Sequence, residues 1–134
     1  MADNCPEWYI GSVATIHAGG ITTGIYQSNS PELVSYVAEH SPIQILILQD
    51  MATYKHILDG RLRSEALPTV TKIILLTGSS ENVQDMHTWQ EVLALGNEDA
   101  SNQVIDDIAD QQGPNEAAVL LYTSGTTGPP KGTN

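Results

Sequence analysis

Apolar residues along this chain come in short runs whose spacing alternates between a helical and an extended period. Trp8, Ile10, Val13, Ala14 and Ile16 recur at loosely helical spacing, with Asn4, Pro6 and Glu7 just ahead of them. Asparagine can cap free N–H groups, an early proline has no N–H to lose, and an early carboxylate faces the positive end of the helix dipole. Gly19-Gly20 marks the stop, since glycine enters the left-handed cap conformation without strain. Ile21 to Gln27 is β-branched and aromatic and predicts a strand, weakened at Gly24.

Ser30-Pro31-Glu32 predicts a second helix by the same capping logic, with Leu33, Tyr36 and Val37 as its buried stripe and an end near His40. Ile43 to Leu48 is an apolar run between Pro42 and Asp50, as expected of a strand covered on both faces. Thr53 to Leu58 predicts a helix, limited by Gly60, and Lys72 to Thr77 a strand closed by Gly78-Ser79-Ser80. Trp89 to Leu95 reads as a short helix stopped by Gly96, Ser101 to Asp110 as another, and Ala117 to Tyr122 as a further strand. Strand and helix alternate, so the fold class is α/β, a mainly parallel sheet with flanking helices. Ile43 to Leu48, Lys72 to Thr77 and Ala117 to Tyr122 are expected in one parallel sheet. There is no internal repeat and no domain boundary; the polar stretch Gly96 to Gln103 reads as a surface connection.

Composition narrows the function classes. The 134 residues suit one domain, and 40% hydrophobic residues fit a globular chain. With no Phe, the core must rest on Ile, Leu, Val and Ala, helped by Trp8 and Trp89. The net charge is −11, and the five cations, Lys55, Arg61, Arg63, Lys72 and Lys131, form no cluster. That disfavours nucleic acid and anionic membrane surfaces, which need grouped cations. One cysteine, Cys5, excludes an internal disulfide. No leader precedes residue 20 and no apolar run is long enough to cross a bilayer, so no transmembrane segment is expected. His17, His40, His56 and His87 show no metal-ligand spacing, and Asp106, Asp107 and Asp110 read as a solvated face, so no metal site is assigned.

Chemistry concentrates at the end of the last strand, in Thr123-Ser124-Gly125-Thr126-Thr127-Gly128-Pro129-Pro130-Lys131-Gly132. A polyphosphate needs many donors in a small concave space. Gly125, Gly128 and Gly132 permit tight turns that aim peptide N–H groups at phosphate oxygens. Thr123, Ser124, Thr126 and Thr127 add hydroxyls, and Lys131 adds a mobile positive charge. The Walker loop is excluded, because Pro130 precedes Lys131 and Gly132 follows it. By composition alone, a polar surface loop ending in lysine would explain the segment as well.

The ordered string Tyr122-Thr123-Ser124-Gly125-Thr126-Thr127-Gly128, one spacer, then Pro130-Lys131-Gly132 resembles the phosphate loop of the adenylate-forming superfamily. Upstream, Asp3-Asn4-Cys5-Pro6-Glu7-Trp8, Ala18-Gly19-Gly20, Gly24-Ile25-Tyr26 and Asn29-Ser30-Pro31-Glu32 resemble the bubblegum-type long-chain acyl-CoA synthetases. The resemblance implies that residues 1–134 are part of an AMP-binding N-terminal domain ending at the phosphate loop, 122–132. It implies a ligase that joins a long-chain fatty acid to coenzyme A through an acyl-adenylate, using ATP. Thr123, Ser124, Gly125, Thr126, Thr127, Gly128 and Lys131 would be its nucleotide contacts. Mg²⁺ would be held by ligands outside this chain. The parent enzyme would be cytoplasmic, with a peripheral place at the endoplasmic reticulum left open. The family's adenine-binding, magnesium-holding and C-terminal lysine elements are not among these residues, so the chain is expected to be inactive alone. Two alternatives stay open: a truncated, non-catalytic interaction or regulatory fragment, and another acid-activating enzyme of the same superfamily.

Overall fold

The computed structural model describes residues 1–98, 102–123 and 131–133. Two three-stranded sheets form, ordered β1-β5-β6 and β2-β3-β4. The strands are β1 (Thr22–Gly24), β2 (Ile45–Leu48), β3 (Lys72–Leu75), β4 (Met86–Thr88), β5 (Val119–Thr123) and β6 (Lys131–Thr133). Between them run α1 (Pro6–His17), α2 (Pro31–His40), α3 (Met51–Leu58), α4 (Arg63–Ala66), α5 (Trp89–Glu98) and α6 (Gln103–Gln111). Among the described residues three of the four strand pairs are parallel, and β5 with β6 is antiparallel. The α/β class is therefore as the alternation predicts. The single sheet is not: the last long strand, β5, pairs with β1 and leaves β2 and β3 in the other sheet.

The core sits on one face of β2-β3-β4. The register sets Leu46 beside Ile73 and Leu48 beside Leu75, and all four are buried. Val34, Val37 and Ala38 of α2 and Tyr54 and Ile57 of α3 join them in one cluster. Both helices start where side chains accept free N–H groups. Ser30 Oγ accepts from the Leu33 amide at 3.3 Å and Asp50 Oδ1 from the Thr53 amide at 2.8 Å.

Helix α1 lies between the sheets. Its buried Gly11 faces β2, where an added Cβ would stand 2.9 Å from Ile47 Cδ1 and 3.8 Å from the Trp89 ring. On the other side Thr22 Oγ1 of β1 donates to the Ser12 carbonyl at 3.1 Å. Gly11→Ala should be tolerated, because the far end of Ile47 can swing aside. Gly11→Leu forces the helix off the sheet and should cost about 1–3 kcal/mol, read as a lower urea midpoint. A midpoint equal to the parent's would show that α1 is not docked this closely.

Several boundaries differ from expectation for identifiable reasons. Cys5, not Asn4, takes the cap position of α1, without a side-chain bond. The helix ends in a Schellman motif as expected, with the Gly19 and Gly20 amides donating to Ile16 and Thr15 carbonyls. Helix α5 runs through Gly96 to Glu98, since glycine terminates a helix only where the chain turns left-handed. Its start carries a capping box between Thr88 and Glu91. Elements α4, β4 and β6 were not foreseen; at three or four residues each they are too short to show a period.

The α-amino group of Met1 is tucked against β2, donating to the Ile47 carbonyl at 2.7 Å. Burial pushes its pKa from 8.0 down to about 6, offset slightly by Cys5. The folded state thus binds this proton less tightly than the unfolded state. Stability should rise as pH climbs from about 6 to 8, by roughly 2 kcal/mol, and flatten above. Urea midpoints across that window check this, and amino-terminal acetylation should abolish the slope. A flat profile would mean the amine is solvated.

Candidate functional site

Strand β5 delivers Thr123 and strand β6 begins at Lys131, and the two are Cα partners across the antiparallel pair. The next pairs along are Tyr122 with Gly132 and Leu121 with Thr133. Thr133 Oγ1 also donates to the Leu121 carbonyl at 3.3 Å. Thr123 and Lys131, the two ends of the proposed phosphate loop, are thus brought side by side at one end of the sheet. The other sequence-predicted contacts, Ser124, Gly125, Thr126, Thr127 and Gly128, lie outside the described residues.

The cations are disposed unevenly. Lys55 pairs with Glu81 at 3.1 Å and Lys72 with Asp85 at 2.5 Å. Arg61 donates to the Leu58 and Ile57 carbonyls and Arg63 to those of Gln84 and Val70. Lys131 is exposed, and among the described residues no carboxylate pairs with it. Among the described residues it thus differs from the other four cations, each of which has a carboxylate or carbonyl partner.

At Tyr122, on strand β5, an aromatic cluster forms. His40 Nδ1 and the Tyr122 hydroxyl are 2.7 Å apart. Tyr36 stacks on His40 with ring centroids 5.5 Å apart. Tyr122 meets both edge-on, at 6.5 Å from Tyr36 and 5.7 Å from His40. From sequence, His40 stood only as one of four histidines without metal-ligand spacing, and the structure leaves it exposed. No local pattern could have done better, because its partner is 82 residues away.

Among the described residues, no group of three or more His, Cys, Asp or Glu side chains could hold a metal ion. Asp106 and Asp107 are exposed on α6, and Asp107 accepts from Gln103 Nε2 at 2.7 Å. The described residues therefore offer no fit for magnesium. Among them, too, no helix is long and apolar enough to cross a membrane.

Comparison with known proteins bears on the same segment. The family model described as "AMP-binding enzyme" matches residues 1–133. The long-chain-fatty-acid–CoA ligase ACSBG1 of Homo sapiens is 37% identical over 130 residues, covering 96% of this chain and 17% of that protein. The long-chain-fatty-acid–CoA ligase ACSBG2 of Gallus gallus is 38% identical over 131 residues, with 96% and 17% covered. The chain thus spans about a sixth of the length of these relatives. Among solved structures, the anthranilate CoA ligase AuaEII in complex with anthranoyl-AMP superposes with a TM-score of 0.64 at 20% identity. It covers 98% of this chain and 23% of its own, a likeness of fold alone.

Proposed function

The chain belongs to the AMP-binding enzyme family, and from that premise we propose that it is the phosphate-loop portion of an ATP-dependent long-chain fatty acid–CoA ligase. The observation that carries the proposal is the pairing of Thr123 with Lys131, which brings the first and last of the expected nucleotide contacts side by side, with no carboxylate paired to the lysine among the described residues. The substrate class is supported by the names of the relatives at 37% and 38% identity. In this reading residues 1–134 are part of the AMP-binding N-terminal domain, and the segment 122–132 is its phosphate loop.

In the first half-reaction a fatty carboxylate oxygen attacks the α-phosphorus of ATP and pyrophosphate leaves, giving an acyl-adenylate. In the second, the coenzyme A thiol attacks the acyl carbon and AMP leaves. The part played by this chain belongs to the first. Lys131, with Thr123, Ser124, Gly125, Thr126, Thr127 and Gly128, would hold the β- and γ-phosphates while charge builds on the departing pyrophosphate. A charge-assisted contact of this kind is stronger and more directional than a neutral one. Magnesium would be held by ligands outside this chain, and no step here is routed through it. The same reading places the whole ligase in the cytoplasm, at most peripheral to the endoplasmic reticulum.

The test uses two proteins. The 134-residue chain alone, given ATP, magnesium, palmitate and coenzyme A, should form no thioester above a blank without protein. A chimera carrying residues 1–133 in place of the matching segment of human ACSBG1 should release pyrophosphate and AMP and form palmitoyl-CoA. Thioester from the chain alone, or a well-folded chimera that cannot activate palmitate, would sink the reading.

A further inference from the structure

We propose that His40 is a positioning residue for the phosphate loop, locking through Tyr122 the β5–β6 register that sets Thr123 opposite Lys131. This rests on the reading of residues 122–132 as a phosphate loop.

Strand β6 has three residues, all exposed, at the edge of its sheet. So short a pair has little to fix its register, and a slip of one residue would turn Lys131 to the opposite face. The Tyr122 ring supplies the missing constraint. It lies against Gly132, where an added Cβ would stand 3.4 Å from Tyr122 Cζ and 3.1 Å from Leu120 Cδ1. A slip in either direction would set the side chain of Lys131 or Thr133 against Leu120 Cδ1 and the Tyr122 ring, which would have to give way by a few tenths of an ångström.

The ring is itself held from behind. His40 is the last residue of α2, whose Val34, Val37 and Ala38 are fully buried. The Ala38 carbonyl also accepts from Thr69 Oγ1 at 3.0 Å and from the Ile43 amide at 2.9 Å. The last turn of α2 is therefore anchored to the core of β2-β3-β4, and the contact of the exposed His40 with the Tyr122 hydroxyl ties that turn to the β1-β5-β6 sheet. With the ring proton on Nε2, Nδ1 accepts from the phenol; with a proton on Nδ1, it donates to the phenol oxygen. Either form keeps the contact, so the test is by substitution and not by pH.

The ¹⁵N-labelled 134-residue chain is compared with His40→Leu, His40→Gln and Tyr122→Phe at low salt. Amide exchange is followed at Thr123 and Lys131 to Thr133, with Ile73 to Leu75 of the other sheet as the internal control. Each sample is then titrated with MgATP, reading the Lys131 amide shift. His40→Leu and Tyr122→Phe should speed exchange at the β5–β6 amides about fivefold, the worth of one such hydrogen bond, and weaken MgATP by a similar factor. His40→Gln should restore both, and the control amides should not change. Unchanged exchange in β6, or equal acceleration in both sheets, would overturn the proposal in favour of no role or a merely structural one. Wild-type chain with no MgATP response, alongside the expected exchange pattern, would instead overturn the phosphate reading and with it the nucleotide role of His40.

Discussion

Lys131→Ala, made in the chimera that carries these residues in place, is expected to slow acyl-adenylate formation about 100-fold. The lysine starts β6 directly opposite Thr123 and, among the described residues, has no carboxylate partner. In the proposed reading its charge answers a transferring phosphate. Charge accumulates on the leaving pyrophosphate only in the first half-reaction. Pyrophosphate release should therefore suffer, while palmitoyl-CoA formation from preformed palmitoyl-adenylate and coenzyme A should change by less than about threefold. Measuring the half-reactions separately decides the matter. Equal losses in both would place Lys131 in general binding or folding and remove its role in adenylation. Lys131→Arg should recover only part of the rate, because a planar fork does not replace a compact ammonium at the same reach.

Leu75→Ala should be the most damaging single truncation for stability, at about 2–5 kcal/mol. Leu75 is fully buried in the central strand of β2-β3-β4, beside Leu48 and beneath the helix pair α2 and α3. The lost methyl groups leave a cavity that strands flanked on both sides cannot collapse to fill. A domain of this size has total stability of only about 5–15 kcal/mol, so the variant should be close to unfolding. Leu121→Ala makes the matched comparison. Leu121 is 53% exposed on the open face of β5, and its truncation should cost no more than about 0.5 kcal/mol. Urea unfolding with an unchanged slope reads both. Equal losses would mean that the two sheets are buried alike in solution.

Much of this was legible in the sequence because it is local. The capped start at Ser30, the Gly19-Gly20 stop and the apolar runs of β2 and β3 are each set within a few residues. The string Thr123 to Gly132 stood out for the same reason, since the donors and lysine of a proposed phosphate loop must follow one another in order to surround one ligand. Strand pairing is different. Ala117 to Tyr122 looks as apolar as β2 and β3, and nothing in its own pattern says which strand it will join. That choice depends on α1, whose Gly11 and Ser12 contact opposite sheets. The three shortest elements depend on tertiary contacts in the same way. Strand β4 exists because β3 offers it an edge, and β6 because β5 does.

By itself, then, the sequence determined the α/β class and the order of the longer elements, both of which follow from spacing along the chain. Only the tertiary structure decided that the strands divide into two sheets and that Thr123 faces Lys131 in a fixed register. Only it brought His40 to 2.7 Å from Tyr122 across 82 residues. The physical reason is that pairing energy depends on which surfaces remain to be covered once the helices have docked, and that is a property of the whole chain.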